Sequence, residues 1–288
     1  MSHSGPHRSI RDVHGVAALA ELARAGNVRA ASRLITFLEN HPDGGAASRV
    51  LNSTSREATV IGVTGYPGAG KSTVVDRLVC LYRRNGLKVG VLAVDISSPV
   101  TGGALLGDRI RMQEHALDRG VYIRSMATRG HRGGLARATA DAALVLEAAG
   151  YEVILIETIG VGQNEVGIID HAHTVVAVVV PGLGDEVQAM KAGLLEVAHI
   201  VVVNKGDLPG ADNTLRDLRE WCPNVLRTVA TTGEGIPELA AAITEHQRSR
   251  GVERRWQAFP EVITWMRRAM ANGEGALPSA TGKKVAPD

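Results

Sequence analysis

Hydrophobic spacing divides the chain into two regimes. Near the start, Val16, Leu19, Leu22 and Ala23 recur at helical intervals, Gly26-Asn27 interrupts, and Ala31, Leu34, Ile35 and Leu38 resume the pattern. Two short helices are expected there. His41-Pro42-Asp43-Gly44-Gly45 breaks the run, and a polar stretch continues to Glu57. Beyond Ala58 short β-rich runs appear at residues 59–64, 89–95, 121–125, 152–157, 174–180, 200–204 and 225–230. Helix-compatible stretches at 73–84, 135–149, 186–197, 213–221 and 236–248 separate most of them. Strands that are apolar almost throughout, alternating with helices, predict an α/β fold: a mostly parallel sheet covered on both faces.

Three regions follow from this pattern: a helical N-terminal module over 1–57, an α/β domain over 58–250, and a C-terminal extension over 251–288. In the last, Pro260 suits the first turn of a helix over 260–270. The Gly-, Ala-, Pro- and Lys-rich end is expected to be disordered.

Composition narrows the function. With 44% hydrophobic residues the chain of 288 can bury a sizeable core, which excludes wholesale disorder. Two Phe, four Tyr and three Trp are too few for base-stacking platforms, and a net charge of +2 lacks the basic excess of a nucleic-acid binder. No apolar run approaches the ~20 residues of a membrane span. The first twelve residues carry no apolar signal core, so a cytoplasmic location is expected. Cys80 and Cys222 have neither metal-ligand nor disulfide-framework spacing and fit a reducing compartment. Cys80 falls on the apolar side of its helix and is expected in the core. His171-Ala172-His173 lacks companion ligands and reads as structural.

Gly65-Tyr66-Pro67-Gly68-Ala69-Gly70-Lys71-Ser72 fits G-x-x-x-x-G-K-[ST], between a β-rich run and a helix that takes in Thr73. Glycines let backbone N–H groups turn inward around phosphate oxygens, and the helix N-terminus adds positive potential. Lys71 is the candidate for the β- and γ-phosphates, and the Ser72 hydroxyl for Mg²⁺. This is a nucleoside-triphosphate loop.

Asn204-Lys205-Gly206-Asp207, at the end of a later strand, matches the N-K-x-D element that reads guanine. The Asp207 carboxylate can accept from guanine N1–H and N2–H₂, donors that adenine does not offer there. Asn204 would tie loops together, and the Lys205 stem would cover one base face. Ala230-Thr231-Thr232 follows the next strand and is a candidate to approach the base through backbone N–H groups. GTP or GDP is the expected ligand.

Glu157 ends the strand where a second Mg²⁺-directed carboxylate is expected, and contact through water suits its length. Asp95, ending another strand, and Asp108 are further metal candidates, with an ordinary solvated loop role equally open for Asp108. Gly160 is a candidate N–H donor to the γ-phosphate. Gln163 is a candidate to orient water, with a helix-capping or surface role at least as open.

With these elements the chain resembles the MeaB/ArgK family of GTPases. The resemblance covers about residues 17–248 and rests on more than generic GTPase motifs. It includes Val94-Asp95-Ile96-Ser97-Ser98, the run from Thr101-Gly102-Gly103 through Asp108 to Met112, and Arg129-Gly130-His131-Arg132-Gly133-Gly134. The most distinctive part is Ile156-Glu157-Thr158-Ile159-Gly160-Val161-Gly162-Gln163-Asn164-Glu165. Gly184-Asp185-Glu186-Val187-Gln188-Ala189-Met190-Lys191 follows.

The resemblance implies a GTPase that attends an adenosylcobalamin-dependent acyl-CoA mutase, with methylmalonyl-CoA mutase the default. It implies slow intrinsic turnover stimulated by the mutase, and a chaperone role in cofactor loading, protection or reactivation. It also implies that Asp185, Gln188 and Lys191 belong to a switch coupling nucleotide state to the partner. The chain departs from the family at Ile96, where Pro is usual, and at His131-Arg132. Its short C-terminal extension weighs against the family's homodimer. Two other functions compete: a P-loop kinase or ATPase linked to amino-acid transport, and a metal-insertion GTPase. Asp207 argues against the first, and the lack of a Cys/His relay against the second.

Overall fold

The computed structural model describes residues 13–40, 58–95, 115, 117–127, 138–158, 171–182, 195 and 198–249. Two helices come first, α1 (Val13–Arg24) and α2 (Val28–Asn40). Asn27 starts the second by accepting the Ala30 N–H through Oδ1, a side-chain cap at 3.0 Å.

The α/β part runs β1 (Thr59–Gly65), α3 (Lys71–Arg84), β2 (Val89–Asp95), β3 (Val121–Ala127), α4 (Thr139–Ala148) and β4 (Val153–Glu157). It continues with β5 (Thr174–Val179), β6 (Ile200–Val203), α5 (Ala211–Arg219), β7 (Val225–Arg227) and α6 (Ile236–Ser249). The seven strands form one sheet in the order β3-β2-β4-β1-β5-β6-β7, and every pairing is parallel. β1 therefore stands at the centre, where strand order changes direction and α/β folds hold ligands beyond the strand ends.

The pleat explains why the strands are apolar on both sides. Val60, Ile154, Ile156 and Leu92 pack with α1, α2 and α4 in one buried cluster. Their neighbours Ile61, Val63, Val153, Leu155, Val89 and Val91 pack with α3 and α6 in another. A third cluster joins Ala177, Val179, Val201 and Val203 to Leu215 and Leu218 of α5. The N-terminal helices thus share the core of the sheet. Leu34 and Ile35 are fully buried, and Arg124 of β3 pairs with Glu39 while donating to Thr36 Oγ1 at 3.0 Å.

Several boundaries moved for local reasons. α3 starts two residues before the periodicity suggests, directly after Gly70 in left-handed conformation (φ 90°). α5 likewise starts early, after Gly210 at φ 88°. β7 stops at Arg227 rather than 230, because Val229 and Glu234 form an antiparallel bridge that turns the chain toward α6. Just before β5, His173 Nδ1 accepts the Val60 N–H at 3.1 Å, the structural role expected of it. The helices expected over 186–197 and 260–270 and the C-terminal end lie outside the described residues.

Candidate nucleotide site

The loop between β1 and α3 sits at the middle of the sheet, at the C-terminal end of its central strand. Two of its glycines are sterically required. At Gly65, φ 136°, a Cβ would lie 2.0 Å from the Val178 carbonyl oxygen. At Gly70 it would lie 2.4 Å from Asn204 Nδ2. Gly68 has open space but a φ of 77°, which a side chain rarely adopts. Tyr66 is half-buried, Pro67 and Gly68 are exposed, and Ala69 is buried.

Lys71 opens α3 and is 93% buried, with Nζ donating to Gly65 O at 2.8 Å and Tyr66 O at 3.1 Å. The ammonium thus lies inside the ring of the loop. Ser72 Oγ donates to Glu157 Oε1 at 2.6 Å, which joins the start of α3 to the end of β4. Both residues are buried. At the very next residue, Thr158 Oγ1 donates to Thr64 Oγ1 at 3.0 Å. Thr73 is half-buried on the next helical position. No acidic side chain stands in the first turn of α3, so its N–H groups face the loop with their positive potential uncancelled from within the helix.

Asn204, at the end of β6, connects this loop to the chain after β7. Its Nδ2 donates to Ala69 O at 2.8 Å; its Oδ1 accepts from Thr228 Oγ1 and Ala230 N, each at 3.1 Å. A single buried amide therefore fixes the spacing between phosphate loop and base loop. Lys205 is exposed and holds φ 56°, a left-handed conformation uncommon outside glycine. Gly206 N donates to Thr228 O at 2.9 Å, and Asp207 is exposed beside it. Ala230 is buried, while Thr231 and Thr232 are exposed.

The structure thus brings together the phosphate loop, Ser72 with Glu157, and the Asn204 element with Ala230. Asp95 ends β2 on the same edge of the sheet, two register positions beyond the pairing of Ala93 with Glu157. Its side chain, and Asp108, Gly160, Gln163, Asp185, Gln188 and Lys191, lie outside the described residues. Sequence reasoning missed Arg77, whose Nε donates to Ala230 O at 3.1 Å and whose Nη2 reaches Thr231 O at 3.3 Å. It lies past the end of the loop motif, and no pattern marks an arginine that reaches 153 positions along the chain. Sequence reasoning also missed the grouping of Asp76, Cys80 and His115; Cys80, expected in the core, is half-buried there.

The family model described as methylmalonyl Co-A mutase-associated GTPase MeaB matches residues 31–266. The chain belongs to the MeaB family. A protein named as a GTPase in Pyrococcus horikoshii is 51% identical over 246 residues, 80% of this chain and 77% of its own. GTPase ArgK of Escherichia coli is 38% identical over 224 residues, 72% of this chain and 68% of its own. The mitochondrial methylmalonic aciduria type A homolog of Mus musculus is 40% identical over 201 residues, 65% of this chain and 48% of its own. A solved structure described as LAO/AO transport system kinase superposes with TM-score 0.63 at 28% identity, covering 92% of this chain and 85% of that one. This MeaB-family chain is a GTPase of P-loop fold that binds GTP and GDP. No helix among its described residues is long and apolar enough to cross a membrane.

Proposed function

We propose that this MeaB-family chain couples GTP hydrolysis to the care of an adenosylcobalamin-dependent acyl-CoA mutase, methylmalonyl-CoA mutase in the first instance. Its task there is cofactor loading, protection or reactivation. The observation that carries the partner is the match of residues 31–266 to a mutase-associated GTPase. The mouse relative, named for methylmalonic aciduria, supports the same reading. Thiol Cys80 and Cys222 fit a reducing cytoplasm as its place of work.

In this reading the backbone of 65–70 and the first turn of α3 cradle the phosphates, with Thr73 beside them. Lys71 serves the β- and γ-phosphates and stabilises charge that develops as water attacks in line. The Ser72 hydroxyl and Glu157 carboxylate, buried and 2.6 Å apart, form an oxygen donor set that fits Mg²⁺. Ser72 would ligate directly and Glu157 through water, with Asp95 and Asp108 as further acidic candidates; the ion neutralises phosphate charge when bound. Asp207, with Lys205 and the Ala230–Thr232 backbone, reads guanine. Gly160 and Gln163 serve the γ-phosphate and the water; Asp185, Gln188 and Lys191 relay nucleotide state to the mutase.

The test is GTP hydrolysis by the purified protein, alone and with the mutase, with ATP as control. A GTP-only rate that rises several-fold with the mutase supports the reading. Robust ATP turnover would favour a transport-linked kinase, the description carried by one similar structure. A GTP rate indifferent to every cobalamin mutase would sink the partner assignment.

A further inference from the structure

Positions 76 and 80 lie four residues apart on α3, so their side chains share one face of the helix. His115, just ahead of β3 in the chain, meets them there. Its Nε2 stands 3.0 Å from Asp76 Oδ1 and 3.7 Å from Cys80 Sγ. All three ligand-type atoms lie within 4.8 Å of one another. The Asp76 and His115 side chains retain only 15% and 9% of their exposure, so the group is enclosed yet within reach of solvent. It is the one such grouping of His, Cys and carboxylate atoms among the described residues.

We propose that Asp76, Cys80 and His115 form a binding site for a borderline divalent cation of the Zn²⁺ class, separate from the nucleotide's Mg²⁺. Thiolate, imidazole and carboxylate are the donors that zinc takes, at about 2.0–2.3 Å, and a tetrahedron of such bonds separates its ligand atoms by about 3.3–3.6 Å. The two separations from His115 Nε2 bracket that value and the third lies within 4.8 Å, so side-chain rotations complete the site, with water in the fourth position. Mg²⁺, which demands oxygen donors, is excluded by the sulfur.

A Cys–His–Asp proton relay does not fit. Asp76 and Cys80 both address the same ring nitrogen, whereas a relay needs one partner at each. Without the cation the group is an ion pair: Asp76, and then Cys80, raise the His115 imidazole pKa to about 10. Cation binding displaces that proton and the thiol proton. Among the described residues, Arg77 brings a positive charge to the site, its Nε 4.0 Å from the other oxygen of Asp76. Arg83, one turn further along, is neutralised by Asp118.

The site would bolt α3, which begins at Lys71 and Ser72, to the chain entering β3. The test uses reduced, chelator-treated full chain saturated with Mg²⁺-GDP, titrated with Co²⁺ and then Zn²⁺. The expected result is one equivalent of Co²⁺ with a thiolate-to-cobalt charge-transfer band in the near ultraviolet, bleached by Zn²⁺. Cys222→Ser keeps the band and Cys80→Ser loses it. Asp76→Asn weakens Zn²⁺ binding at least ~10-fold, while GDP affinity and far-ultraviolet circular dichroism stay unchanged. Absence of the band from the wild-type protein overturns the proposal and leaves only the ion pair. So does a band that survives Cys80→Ser.

Discussion

Asn204 Nδ2 donates to the Ala69 carbonyl at 2.8 Å, spanning 135 positions of chain to join the end of β6 to the phosphate loop. The same amide accepts from Thr228 and Ala230 through its oxygen. Asn204→Ala strands three buried groups, each costing about 1–3 kcal/mol when left unmade. The expected outcome is a drop in denaturant midpoint together with weaker GDP binding, read by fluorescent-nucleotide titration. A variant that unfolds normally and binds GDP at wild-type affinity would remove Asn204 from the site.

Lys71 spans two loop carbonyls and is the only side-chain cation the loop motif contributes. Lys71→Met keeps the apolar stem and removes the charge. Single-turnover GTP hydrolysis should fall by about 10²–10³-fold, the scale seen when one preorganised donor is removed from a reacting oxyanion. The melting temperature without nucleotide should change far less than the rate.

Leu34 of α2 is fully buried against the sheet in the same cluster as Ile154 and Ile156. Leu34→Ala should cost about 2–5 kcal/mol of stability, because the neighbours cannot collapse fully around the lost methyls. Chemical denaturation should show one transition shifted as a whole, since the helices and the sheet share that cluster. A separate early transition for the N-terminal helices would contradict the shared core.

Arg83 grips Asp118 with Nε at 2.8 Å and Nη2 at 2.9 Å. That pairing, aided by the Gly120 N–H, holds the Asp118 carboxyl below the usual carboxylate range. A depressed native pKa stabilises the fold above the unfolded value of 3.8, and the contribution is lost as pH falls through the lower native value. The stability gap between wild type and Asp118→Asn should therefore be constant near neutrality and close in acid. Urea denaturation across that range measures it.

Much of this was legible because the sequence states it locally. The loop motif, the strand before it and the N-K-x-D element announce themselves by residue type and spacing. Near-continuous apolar runs such as the Val-rich 174–179 likewise signal strands buried on both faces. Strand order was not legible, since β4 inserts between β2 and β1 through long-range pairing that no local pattern encodes. Helix starts were misjudged at α3 and α5, where a left-handed glycine, rather than a polar cap, opens the helix. Arg77 and His115 stayed hidden for another reason. Their partners are set by tertiary approach across 153 and 39 positions, and neither lies in a motif.

The position of β1 has a kinetic meaning. It is laddered on both sides, to β4 and β5, whereas β7 has three residues and β6 as its neighbour. Opening the phosphate end requires breaking two ladders at the middle of the sheet; at the base end the Asn204 element follows β6, also laddered on both sides, and only the Ala230 loop follows a short outer strand. Amide hydrogens of 60–64 should then exchange near the global unfolding limit, and those of 225–230 well before it. The Ala230 rim is thus the part of the pocket expected to loosen first, ahead of the β1 and β6 ends that carry the phosphate loop and Asp207.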